Sequence, residues 1–346
     1  SRAYLTQGLW LYILMIIRRQ RRFVNHRGLI LPLHRQIKEN PHLSTILGYA
    51  WPPGPQVTYE REQIETPDGD FFHVDWVGKN ETGPILLVLH GLEGSSEAPY
   101  MKRLAAAAGA HGYRFAGFQH RSCSGEDNRQ VHCYHSGFTH DIQHMLHLLQ
   151  EREPETPVFV IGFSLGGSIL ANHLGRHKTT PNVKAACLCA TPFNLAPGAK
   201  ALQTGLTQVY ELRFLLSLRR KAKAKARKHP QGQKWIRQTL TARTLEEFDH
   251  YWTAPSFGFQ SSADYYEKAS SAPHVGNISV PTYVLHAQND PIVVHDCFPR
   301  QQLEQNPNLI VDILPFGGHM GFWEKEPNWL SERMLQFMNT KKNGPQ

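Results

Sequence analysis

The chain has 346 residues, 40% hydrophobic and 19% charged, enough for a sizeable buried core in one large domain with an insertion or in two domains sharing an interface. Its five cysteines (Cys123, Cys133, Cys187, Cys189 and Cys297) are odd in number and form no C-x-x-C, which fits free thiols in a reducing, cytoplasmic setting better than a disulfide framework. The net charge of +8 suits an anionic partner, whether a membrane surface, an acidic substrate or nucleic acid.

Residues 1–55 read as an apolar and basic segment with a Pro-rich lead-in. Leu9 to Ile17 (LWLYILMII) is a run of nine apolar residues, short of the roughly 20 that a spanning helix needs, and RRQRR follows at Arg18 to Arg22. An interfacial helix, a truncated anchor and a helix packed on the domain with a solvated basic end are the readings open there. After WPPGP (Trp51 to Pro55) the ordered main domain is expected to begin.

Residues 56–190 read as the first part of that domain. Val57 to Glu65 and Asp70 to Val77 are predicted strands joined at Pro67-Asp68-Gly69, a hairpin signal. Ile85 to His90 (ILLVLH) is a continuous apolar run of buried-strand type, followed by a helix over Tyr100 to Ala110 and a strand over Tyr113 to Gln119. A helix over Phe138 to Glu151, a strand over Val158 to Ile161, a helix over Leu165 to Arg176 and a strand over Val183 to Ala190 continue the alternation.

Over residues 191–281 the alternation stops and the pattern becomes helical, with Leu202, Leu206, Tyr210, Phe214 and Leu218 in one apolar stripe at four-residue spacing, as in an insertion or cap above a sheet. A second basic cluster, RRKAKAKARKH, spans Arg219 to His229. It lacks interleaved aromatics or a nucleic-acid motif, so attraction to a membrane surface or a solvated helix end explains it better than nucleic-acid binding. The N-terminal runs are expected to make the stronger membrane contact, because the 219–229 cluster lacks an adjoining apolar anchor. Residues 282–346 return to the core with strands over Thr282 to Ala287 and Leu309 to Leu314 and a helix over Pro327 to Met338. Strands alternating with helices predict an α/β fold, a mostly parallel central sheet flanked by helices.

The chemistry centres on GFSLGG. Gly162, Ser164 and Gly166 give G-x-S-x-G after a strand and before a helix, whereas neither the dinucleotide fingerprint nor the P-loop spacing is present. Such a turn lifts a serine hydroxyl above the sheet edge. A serine nucleophile needs a base, the base an orienting carboxylate, and the oxyanion donors. Asp290 follows the strand Thr282 to Ala287, and His319 follows Leu309 to Leu314, both at the carboxyl edge where such sheets build their sites. The order Ser164, Asp290, His319 is that expected of this elbow. The backbone amides of Leu165, next to the serine, and of Leu92, in HGLEG, are the oxyanion-hole candidates.

A metal site is the rival. His140, His144 and His147 would stack on one helical face, but the zincin helix carries H-E-x-x-H with glutamate as base, and Asp141 is a methylene shorter. No metal and no cofactor is expected.

HGLEGS (His90 to Ser95), SCSGEDNR (Ser122 to Arg129), YHSG (Tyr134 to Gly137), GFSLGG, ASSAP (Ala269 to Pro273), AQNDPIV (Ala287 to Val293) and GGHMGF (Gly317 to Phe322) together resemble the YheT-like branch of the α/β-hydrolases. That branch includes bacterial esterases, yeast acyl-CoA:ethanol acyltransferases and animal membrane-associated phospholipases. The likeness covers Asn40 to Met338, since NPHLSTIL (Asn40 to Leu47) is similar to the branch's opening motif. It implies an α/β-hydrolase fold with a helical cap, the same Ser164, Asp290 and His319 triad, and a serine carboxylic-ester hydrolase acting on acyl esters, lipids among them. Acyl transfer to an alcohol is the alternative, because the same acyl-serine serves both. Ser122 departs from the branch's RGCSGE, where a glycine would tolerate positive φ. Peripheral attachment to an anionic membrane is the expected partnership, and no nucleic acid is expected.

Overall fold

The computed structural model describes residues 30–51, 53–177, 182–324 and 328–342; Leu9 to Ile17 and RRQRR lie outside the described residues. Among the described residues the strands β1 (Glu60–Glu65), β2 (Phe71–Val77), β3 (Ile85–Leu89), β4 (Arg114–Gln119), β5 (Val158–Phe163), β6 (Val183–Cys189), β7 (Thr282–Ala287) and β8 (Leu309–Leu314) form one sheet. Its order is β1-β2-β4-β3-β5-β6-β7-β8. Strand β2 pairs antiparallel with both β1 and β4, and β3 to β8 pair in parallel.

Helices α1 (Ile30–Glu39) and α2 (Pro41–Ala50) precede the sheet, and α3 (Pro99–Ala110), α4 (His140–Arg152) and α5 (Leu165–Arg176) lie among its strands. Between β6 and β7 come α6 (Leu195–Ala201), α7 (Gln208–Lys228), α8 (Pro230–Thr241), α9 (Leu245–Phe248), α10 (Ala254–Phe257) and α11 (Ser262–Ala269), and α12 (Arg300–Gln305) and α13 (Trp329–Lys342) follow β7.

The central strands read as unbroken apolar runs because both sheet faces are covered. On β3, Ile85, Leu87 and Leu89 pack with Met145, Leu149 and Ile169 of α4 and α5. Leu86 and Val88 point the other way, onto Leu104 of α3 and Met334 and Leu335 of α13. The helices between β6 and β7 have an apolar cluster of their own, built on Leu215, Ala222, Leu245, Phe248 and Trp252. No helix among the described residues is long and apolar enough to cross a membrane.

Four expectations change. Ordered structure starts before WPPGP: the Asn40 side chain accepts from the His42 and Leu43 amides and Pro41 occupies the first turn, a complete helix start for α2. Strand β1 begins at Glu60, not Val57, because its ladder with β2 starts at the Glu60 and Trp76 pair. The four-residue stripe also breaks. Leu206 sits in the 3-10 turn Gly205–Thr207, ahead of α7, and is 50% exposed. A tighter turn moves it out of phase with the residues that follow. The last helix starts at Trp329, and Pro327 lies outside the described residues.

Candidate active site

Ser164 stands alone between the end of β5 and the start of α5, at φ 50° and ψ −120°. A non-glycine residue there is strained, a condition that persists only where the surroundings enforce it. Its amide donates to the Cys189 carbonyl at 2.9 Å. A Cβ on Gly166 would lie 2.5 Å from the His90 carbonyl oxygen. The missing side chain is therefore what lets α5 start against the end of β3.

The His319 imidazole reaches Ser164 Oγ through Nε2 at 3.0 Å and Asp290 Oδ2 through Nδ1 at 2.9 Å. The Asp290 side chain is fully buried, and its Oδ1 accepts from the amides of Ile292 and Val293 at 2.8 and 2.9 Å. Burial, the largest single influence, pushes the Asp290 carboxyl up, but the His319 ring, His286 and the Val293 amide together hold the pKa below the ordinary value. A carboxylate in that state accepts the Nδ1–H and leaves Nε2 free to accept a proton from serine.

Two residues that sequence patterning did not single out hold the histidine loop. Asn289 Oδ1 accepts from the Gly317 and Gly318 amides at 2.9 and 3.0 Å. The Thr45 hydroxyl accepts from the His319 amide at 2.8 Å. Thr45 belongs to α2, within NPHLSTIL, and only the likeness of that stretch to a known motif could have flagged it.

The HGLEG loop presses directly on the serine. A Cβ on Gly91 would stand 3.1 Å from Ser164 Cβ. Its neighbouring amides are used, Gly91 N–H donating to the Tyr100 hydroxyl at 3.1 Å and Glu93 N–H to the Tyr134 hydroxyl at 3.0 Å. Among the described residues, neither the Leu92 nor the Leu165 amide has an acceptor. Two free donors beside a serine oxygen can stabilise an oxyanion.

Buried histidines brace this loop. Burial pushes His90 down to about 4 and His120 well below its ordinary value, so both rings are neutral at pH 7. Nε2 of His90 accepts from the His120 amide at 3.3 Å, which puts the His90 proton on Nδ1, donated to the Gly91 carbonyl at 2.8 Å. The fourth residue of HGLEG reaches upward. Glu93, at φ 54°, accepts from Lys221 Nζ at 2.7 Å, from Tyr134 at 2.9 Å and from Ser217. Lys221 and Ser217 lie on α7, so the HGLEG loop and the helix above it are tied together.

A cavity of about 160 Å³ opens beside Ser164, with Leu92 and Leu165 on one side and Phe214, Leu218, Phe248 and Trp252 on the other. Ser122 takes φ 61°, so the position does adopt the left-handed conformation; its hydroxyl donates to Asn128 Oδ1 at 2.6 Å and accepts the Asn128 amide, which holds the loop despite the Cβ. His144 is spent on the Glu65 carbonyl at 2.9 Å, and His140 and His147 are exposed. Among the described residues no three His, Cys, Asp or Glu side chains converge on a point that a cation could occupy.

A profile of the α/β-hydrolase fold matches residues 84–326, and the chain belongs to that family. Its relatives place it in the YheT-like branch, among carboxylic ester hydrolases of the esterase and lipase type. It is 33% identical over 310 residues to YheT of Escherichia coli K12, which carries the name of an esterase, covering 87% of this chain and 91% of that one. It is 27% identical over 296 residues to human phospholipase ABHD3, covering 82% of this chain and 72% of that one. The fold is similar to that of the Pyrococcus furiosus esterase Pf2001, with a TM-score of 0.56 at 15% identity over 84% of this chain and 98% of that one.

Proposed function

We propose that the enzyme cleaves acyl esters through an acyl-serine intermediate. Ser164 Oγ attacks the ester carbonyl carbon while His319 Nε2 takes its proton, and the carbonyl electron pair moves onto oxygen beside the Leu92 and Leu165 amides. When that oxyanion collapses, the bond to the alcohol oxygen breaks and His319 returns the proton to the leaving group. Water, deprotonated by the same ring, then cleaves the acyl-serine and releases the carboxylic acid. Asp290 fixes the tautomer throughout. The observation that carries this reading is the bonded row Ser164, His319, Asp290 beside two amides without acceptors.

The substrate in this reading has an apolar acyl chain. The cavity matches in size the roughly 150 Å³ apolar cavity that takes up benzene, so about six carbons are enclosed and longer chains extend toward the helices between β6 and β7, which act as the cap. A lipid ester fits this reading, and so does peripheral attachment to an anionic membrane. Ser164→Ala should abolish turnover of a p-nitrophenyl acyl ester, and Asp290→Asn should lower kcat on the order of 10³- to 10⁴-fold with the fold intact. A loss below tenfold for Asp290→Asn would assign the acid elsewhere. Product analysis with and without ethanol separates hydrolysis from acyl transfer.

A further inference from the structure

Helix α7 has two opposed faces. Phe214, Leu218, Lys221 and Ala222 turn toward the cavity beside Ser164. Val209, Leu212, Leu216, Arg220, Lys223 and Arg227, spaced by three or four residues, share the opposite side, and all six are exposed. They form one ridge about 27 Å long at 1.5 Å per residue, apolar over its first turns and cationic over its last.

The apolar part is a cluster, not scatter. Val209 is 59% exposed, Leu212 54% and Leu216 50%, and Leu206 just ahead of the helix is 50% exposed. These four are half of the eight large hydrophobic residues exposed among the described residues. A soluble surface avoids such concentration unless something covers it.

The cations divide the same way. The inward lysines are spent: Lys221 on Glu93 at 2.7 Å, and Lys225 on the Gln130 carbonyl at 2.9 Å and on Asn128. Arg220, Lys223 and Arg227 form no ion pair among the described residues, and the one acidic residue of α7, Glu211, is buried. Apolar residues adjoining unpaired cations along one helix face match an interfacial helix lying in the plane of an anionic bilayer.

We propose that the outer ridge of α7 is the membrane-docking surface of this enzyme and that its occupant is an anionic lipid bilayer. This rests on the membrane-surface reading above but places the contact on the helix that roofs the site. It also corrects the expectation that the 219–229 cluster lacks an apolar anchor, since Val209, Leu212 and Leu216 supply one on the same face. Charge selects the bilayer over the other apolar occupants. The chain's own Leu9 to Ile17 run adjoins RRQRR, and a second copy would bring the same ridge, so each sets cations against cations. Docked this way, the cavity lies one helix diameter, about 10 Å, from the bilayer surface.

The test uses the full chain and phosphatidylcholine vesicles with or without phosphatidylserine. Three variants are compared with wild type: Leu212→Gln with Leu216→Gln; Arg220→Gln, Lys223→Gln and Arg227→Gln together; and the four arginines Arg18, Arg19, Arg21 and Arg22→Gln together. One cation near an anionic surface is worth about fivefold in binding, so the α7 triple variant should lose on the order of 100-fold on phosphatidylserine vesicles. The leucine variant should lose binding on both vesicle types. All should hydrolyse a soluble short-chain ester as wild type does, which keeps failure of docking distinct from failure of the acyl-serine reading. Wild-type binding by both α7 variants overturns the proposal. So does loss confined to the Arg18 to Arg22 variant, which would make the N-terminal segment the contact, and so does a dimer that becomes monomeric on Leu212→Gln with Leu216→Gln, which would make a second copy the occupant.

Discussion

Replacing Lys221 with methionine removes the counter-charge of a carboxylate that water hardly reaches. The Glu93 side chain is 5% exposed and that of Lys221 15%. Burial works against the Lys221 ammonium, yet Cys123 and Glu93 raise its pKa overall. Burial pushes the Cys123 thiol up to about 11, so that thiol is neutral at pH 7 and Glu93 is the charge that Lys221 answers. Stranding one member of a buried pair costs about 3–5 kcal/mol. Because Tyr134 and Ser217 still donate to Glu93, the low end, about 3 kcal/mol, applies to Lys221→Met. The same bonds hold Glu93 at positive φ beside the Leu92 amide. Loss of a whole oxyanion donor costs about 10²- to 10³-fold in kcat, and a misaimed one should cost about 10- to 100-fold. Urea unfolding at constant m and kcat on a soluble ester measure both effects. Adding Glu93→Gln removes the stranded charge, so the double variant should recover at least about 2 kcal/mol relative to additivity. Additive losses, or a single-variant loss under about 1 kcal/mol with kcat unchanged, would refute the tie between α7 and the HGLEG loop.

Two further outcomes follow from local geometry. Burial raises the Asp249 carboxyl to about 6 despite hydrogen bonds from Thr253 and Tyr266. The folded state then holds a proton that the unfolded chain releases near 4, so stability falls as pH rises from about 4 through 6. Asp249→Asn should therefore match wild type near pH 4 and exceed it by up to about 3 kcal/mol at pH 7; an equal difference at both pH values in chemical denaturation would contradict the assignment. Gly166→Ala forces a Cβ onto main-chain oxygens that cannot turn aside, 2.5 Å from His90 and 2.6 Å from Leu89, whereas Gly109→Ala in α3 meets nothing within 4 Å. The first should destabilise by about 1–3 kcal/mol, and the second should be neutral or gain about 0.5 kcal/mol by helix propensity. Similar unfolding midpoints for the two would remove the close-approach argument.

Much of the fold was legible because its core strands are buried on both faces, so ILLVLH and VFVI needed no periodicity to be read as strands. Ser164, Asp290 and His319 stood out because each lies in the turn that follows a strand, Ser164 at once after β5, Asp290 three residues after β7 and His319 five after β8, where turn residues contrast with apolar runs. The supports were not. Thr45 meets His319 across 274 residues, and no local pattern announces such a bond. Glu93 looked like one polar residue in a glycine loop. A signal did exist in its partner, since Lys221 stands seven residues after Phe214 and three after Leu218, on the inward phase of α7, where a lysine needs a counter-charge. Leu206 misled for the opposite reason: a four-residue spacing is informative only within one helix, and a tighter turn intervenes.

The most direct test of the account is the site of covalent capture. Incubated with a fluorophosphonate, the native enzyme should gain one phosphonyl group, carried by the peptide that contains Ser164, with fluoride leaving as the serine oxygen bonds to phosphorus. Ser164→Ala should gain none, and His319→Ala should react far more slowly while keeping the fold. A phosphonyl group on any other residue, or undiminished labelling of Ser164→Ala, would contradict Ser164 as the nucleophile.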